Sequence, residues 1–126
     1  MTLKRVRLEL ARGPEHPEGS AAHGYEFVAP LTADGHLDPE GWRAERSRCR
    51  VRRFWRGQDD EHGRLIHRGG RWAFHYEDTP EHEEAAEEPI FRFDRHRFVE
   101  GEYASITEHD GVQRTFRVVS VRDEES

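Results

Sequence analysis

The chain contains one cysteine, one methionine and one lysine in 126 residues. A lone thiol, Cys49, cannot close an internal disulfide, so packing and backbone ladders have to hold the fold. Long hydrophobic runs are also missing. Nothing approaches the ~20 consecutive apolar residues of a membrane-spanning helix, so no membrane role is expected. The opening MTLKRVRLEL lacks the apolar stretch and small-residue cleavage site of a secretory signal. The expected location is the cytoplasm. Arginine outnumbers lysine 19 to 1, as in a GC-rich, bacterial genome, which lowers the information in any one arginine cluster.

Catalytic signatures are equally scarce. There is no GxSxG nucleophile elbow and no glycine-rich phosphate loop. His82-Glu83 is followed by Ala86 where the HExxH motif needs its second histidine. Nine histidines are many for this length, but no ligand set at tight spacing is complete, so neither metal nor cofactor is expected. Acid–base candidates such as His67, His96, Glu102 and His109 are residue types without a constellation. Cys49 lies between arginines, which would lower its pKa, but its inward position in a strand points to a buried, inert thiol.

What is present is charge and alternation. Charged residues make up 37% and the hydrophobic types 33%, enough for one domain over 1–126 with a strongly ionic surface. The net charge of −6 is uneven: residues 1–76 carry 14 basic against 11 acidic groups, and residues 77–126 carry 6 against 15.

Residues 2–11 alternate, with Val6, Leu8 and Leu10 on one face, and read as a half-buried strand. Residues 12–24 read as a long loop, rich in proline and glycine. A strand from Tyr25 to Leu31 follows, ended or placed at an edge by Pro30. Asp38-Pro39-Glu40 starts a short helix anchored by Trp42, with Asp38 as cap and Pro39 at the first helical position. Residues 47–56, SRCRVRRFWR, form a further strand. Strict alternation there would bury Arg53 and expose Phe54, and a bulge at Arg52-Arg53 would avoid this by turning Phe54 inward and Trp55 outward.

Residues 57–63 read as an acidic loop, and Arg64 to Tyr76 as a hairpin turning at Gly69-Gly70, with His67 opposite Trp72. The seven acids of residues 77–89 make either a loop or a short helix from Thr79. Ile90 to Phe93 reads as a strand and Asp94-Arg95-His96 as a turn. The last hairpin, 102–121, turns either in a two-residue loop at Asp110-Gly111, which pairs Tyr103 with Val118, or in a three-residue loop at His109-Asp110-Gly111, which pairs Ala104 with Phe116. The second is preferred because it joins Ala104 and Ile106 to Phe116 and Val118 on one face. Residues 122–126 read as a frayed tail. The whole predicts a mainly β domain: a small antiparallel barrel or sandwich of six to seven strands with one or two short helices.

The function this composition favours is a non-enzymatic protein-interaction or ligand-binding module, with a protein partner or a second copy of the chain as partner. The candidate binding residues are Arg50, Arg52, Trp55 and Arg56. The same strand, with Phe54, suggests single-stranded nucleic-acid binding as an alternative, because arginines meet phosphates and rings stack on bases. A net charge of −6 works against that reading. A small enzyme using His and Glu residues is the remaining alternative.

Overall fold

The computed structural model describes residues 2–77, 88–91 and 97–124. Among them, eight strands and one short α-helix follow one another: β1 (Thr2–Leu10), β2 (Ser20–Leu31), α1 (Pro39–Glu45), β3 (Arg50–Trp55), β4 (Glu61–Arg68), β5 (Arg71–Tyr76), β6 (Glu88–Phe91), β7 (Tyr103–Thr107) and β8 (Gln113–Asp123). Each strand pairs antiparallel with the next, and β8 pairs with β1, giving a closed barrel. The strands number eight, against the six or seven expected; the strand expected from Ile90 is β6, which begins two residues earlier, inside the acidic stretch, and completes the ring.

An eight-stranded barrel is just wide enough for its inward side chains to fill it. Val6, Leu8, Phe27, Leu65, Trp72, Phe74, Ile106, Phe116 and Val118 do so, all nearly inaccessible to solvent. The rings meet edge-on or tilted: Phe27 and Phe74 at 5.2 Å between centroids, Tyr25 and Phe116 at 5.1 Å. The helix plugs one end. Asp38 accepts the Glu40 and Gly41 amides, Pro39 occupies the first turn, and Trp42 packs against Trp72 while its indole donates to the Leu65 carbonyl at 2.8 Å. A 3-10 turn, Arg46–Arg48, leads from α1 towards β3.

Both predicted hairpins form, the first in its expected register and the second in the three-residue-loop register of the two open to it. Arg68 faces Arg71 across Gly69-Gly70, and Ala104 faces Phe116 with Gly111 at φ +83° in the turn. Four expected boundaries move because a closed barrel recruits polar residues into its ladders. The 12–24 loop ends at Gly19, since Ser20 already faces Leu10. The 57–63 loop stops before Glu61, which faces Arg53. Glu88 and Pro89, assigned to the acidic loop, pair with Phe74 and Ala73. The tail is not frayed through residue 124: Asp123 and Arg122 face Lys4 and Arg5, and the Glu124 amide donates to Leu3. The proposed helix from Thr79 and the turn at 94–96 lie outside the described residues. Pro30 sits near the end of β2, beyond the last rung shared with β3, where its missing N–H breaks no pairing on that side.

Candidate functional sites at the two ends of the barrel

The chain rises in β1, β3, β5 and β7 and descends in the others, so the β1–β2, β3–β4 and β7–β8 connections share one end. At that end seven strands place a polar group on an inward position or just past it. Tyr25 comes from β2, Arg53 from β3, Glu61 from β4, Tyr76 from β5, Glu88 from β6, Glu108 after β7 and Arg114 from β8. These are continuations of the apolar alternation: Val51 is followed two residues on by Arg53, Phe74 by Tyr76, Ile106 by Glu108, and Phe116 is preceded by Arg114.

The groups interlock. Arg53 Nε lies 2.9 Å from Glu108 Oε2, and Arg114 Nη1 lies 2.7 Å from Glu108 Oε1. Tyr25 Oη is 2.6 Å from Glu108 Oε2 and 3.0 Å from Glu88 Oε1, which also accepts the Tyr76 hydroxyl. The His109 amide donates to Glu88 Oε2 at 3.0 Å. Glu88 and Glu108 are buried, while His109 and Glu61 stand at the mouth with His109 Nε2 at 3.0 Å from both Glu61 oxygens. Burial pushes the Glu88 carboxyl above the ordinary glutamate range, and pushes both tyrosine hydroxyls further up.

The bulge expected at Arg52-Arg53 does not form. β3 keeps an unbroken register with both neighbours, and strict alternation carries Arg53 inside. Its charge is tolerated there because Glu108 meets it directly. Phe54 stays on the outer face yet is 92% covered, being 8% exposed. It lies over Gly24, and the guanidiniums of Arg7 and Arg52 cover it at 4.4 Å and 5.0 Å from the ring centroid.

The four residues predicted to bind do not share one surface. Arg50 and Arg52 lie on the outer face, Arg50 bonded to Glu77 and Arg52 to Asp60 at 3.0 Å. Trp55 points inward, half-buried, with Arg53 4.3 Å over its ring and His23 edge-on at 4.4 Å. Arg56 is exposed in the β3–β4 turn. Among the acid–base candidates, His109 reaches the polar end, His67 stacks on Trp72 at 4.2 Å, and exposed Glu102 pairs with Arg97; His96 lies outside the described residues. Cys49 is buried, and burial pushes its thiol up to about 11, with Glu45 adding to the shift. Among the described residues, no group of three or more His, Cys, Asp or Glu is placed to hold a metal ion.

At the other end, between the helix and β4, lies a groove of about 570 Å³. Trp42, Leu65 and Ile66 contribute its apolar surface. Arg46, Arg50, Arg64, Arg68, His67 and Ser47 supply its polar surface, and no carboxylate is among these nine lining residues. The arginines arrive from the 3-10 turn, the start of β3 and the exposed positions 64 and 68 of β4. Only Arg50 of the predicted binding set is among them.

The chain is therefore a closed eight-stranded antiparallel barrel with a buried ionic network at one end and a basic groove at the other. No family model, curated protein or solved structure matches it.

Proposed function

We propose that this protein is a non-enzymatic binding module whose groove between α1 and β4 takes a small oxyanion, a phosphate or carboxylate group on a compact ligand. The observation that supports this reading is the convergence of Arg46, Arg64, Arg68 and His67, beside an Arg50 already bonded to Glu77, on one concave surface with no described carboxylate among its lining residues, in a protein of net charge −6. Guanidinium forks match phosphate and carboxylate oxygens. A small anion feels the local groove, whereas a long polyanion also meets the acidic remainder of the molecule, which disfavours nucleic acid. The inward position of Trp55, with Arg53 over its ring, likewise favours the small-anion reading over one that needs an exposed stacking ring.

Isothermal titration with inorganic phosphate and pyrophosphate tests the reading. Saturable binding that weakens as salt rises is expected. A charge-assisted hydrogen bond is worth roughly 1.5–3 kcal/mol. The double variant Arg46→Glu, Arg64→Glu should therefore bind at least about ten-fold more weakly. Absence of saturable heat at millimolar anion, or undiminished binding by a folded double variant, overturns the proposal.

A further inference from the structure

The buried end of the barrel has one proton too few if both of its carboxyls are ionised. Tyr25 has a single hydroxyl hydrogen, yet its oxygen lies 2.6 Å from Glu108 Oε2 and 3.0 Å from Glu88 Oε1. That hydrogen serves one carboxyl. The second contact then sets the phenol oxygen against a bare carboxylate oxygen, out of water, unless that carboxyl supplies a hydrogen of its own.

The neighbours decide which carboxyl keeps its charge. Glu108 is met by two guanidiniums, Arg53 on Oε2 and Arg114 on Oε1. Glu88 receives hydrogen bonds from uncharged donors, the Tyr76 hydroxyl and the His109 amide. The Arg53 Nε atom stands 3.9 Å from it, too far for a hydrogen bond. At the mouth, His109 Nε2 is 3.7 Å from Glu88 Oε2 but closer to Glu61, while Asp110 is held by Arg114.

We infer that Glu88 carries a proton in the folded protein at neutral pH and donates it to the Tyr25 oxygen, while Tyr25 donates its own hydrogen to ionised Glu108. The barrel end is thus a buried proton-binding site, with His109 and Glu61 between it and solvent. Burial, the largest influence on Glu88, acts in the same direction. The folded chain then binds one proton more than the unfolded chain over the interval between the ordinary and the raised pKa of this carboxyl. Stability from this group is full below the ordinary glutamate range and is lost as pH rises through the raised value, the reverse of a salt-bridged carboxylate.

Infrared difference spectra in heavy water test this on wild type, Glu88→Gln and Glu108→Gln. The expected result is a protonated-carboxyl C=O band at neutral pH in wild type, absent from Glu88→Gln and retained in Glu108→Gln. The amide of Glu88→Gln keeps a donor at that position, so the thermal midpoint of this variant should no longer fall, as that of wild type does, as pH is raised from mildly acid to mildly alkaline. Should a variant not fold, the wild-type spectrum still decides: a neutral-pH spectrum without the band overturns the inference. A band that survives Glu88→Gln overturns it as well.

Discussion

Arg53 concentrates the energetics of the polar end in one side chain. It is 5% exposed, bonds Glu108, and lies over the Trp55 ring. Removing it leaves the buried Glu108 carboxylate with Arg114 as its remaining charged partner, and breaking a buried pair from one side costs roughly 3–5 kcal/mol. Arg53→Ala should lower unfolding free energy by about that amount in urea titration; a loss under about 1 kcal/mol would mean that the charge is not buried in solution. Arg53→Lys should restore only part of the loss, because an ammonium cannot reproduce the planar fork that faces both Glu108 and the indole. The position was visible in the strand's alternation. A bulge looks cheaper than a buried guanidinium only while its partner is unknown, and Glu108 is 55 residues away in sequence.

At the scale of the element, β2 shows how local composition misleads. Ser20 to Gly24 reads as loop because two of these five residues are Ser and Gly and none is a large apolar residue, yet Ser20 and Gly24 pair with β1 across a register shift, and His23 and Gly24 pair with β3. Gly24 is there for space. A Cβ at this position would stand 2.0 Å from the Leu8 carbonyl oxygen and 3.0 Å from the Phe54 ring. The clash is with backbone, which cannot swing away, so Gly24→Ala should cost more than the roughly 1–3 kcal/mol of ordinary overpacking. A thermal midpoint within a degree or so of wild type would refute the close approach of β1, β2 and Phe54. The β7–β8 hairpin, by contrast, was readable down to two possible registers, of which the structure takes the three-residue loop. Its turn residues are contiguous, and the three-residue loop put Ala104, Ile106, Phe116 and Val118 on one face.

For the whole molecule, the decisive event is closure of β8 onto β1. It orders the chain's last described residues through ladder pairs with Lys4 and Arg5, the Glu124 amide on Leu3, and an Arg5–Glu124 ion pair. Exposed ion pairs add little, but each backbone hydrogen bond contributes roughly 0.5–1.5 kcal/mol. A chain truncated after Val121 should still unfold in one cooperative step, at a stability lower by about 1–3 kcal/mol in denaturant titration. An unchanged midpoint would show that the seam does not need these rungs. The uneven charge of the sequence is also partly resolved at this scale. Arg50 meets Glu77, Arg53 meets Glu108 and Arg5 meets Glu124, each joining the basic 1–76 part to the acidic remainder.

Alternating hydrophobicity, the helix cap at Asp38-Pro39 and the contiguous turns at Gly69-Gly70 and Gly111 made the β class, the helix, the register of the first hairpin and the place of the second turn legible from the residues alone, because each depends on groups a few positions apart. The candidate sites were not legible. Tyr25, Arg53, Tyr76, Glu88 and Arg114 come from five strands and Glu108 from the turn after β7, and Arg46, Arg50, Arg64 and Arg68 come from three segments. Only the closed ring of ladders brings either set together, and only the exclusion of water inside it makes a buried guanidinium and a buried carboxyl stable neighbours.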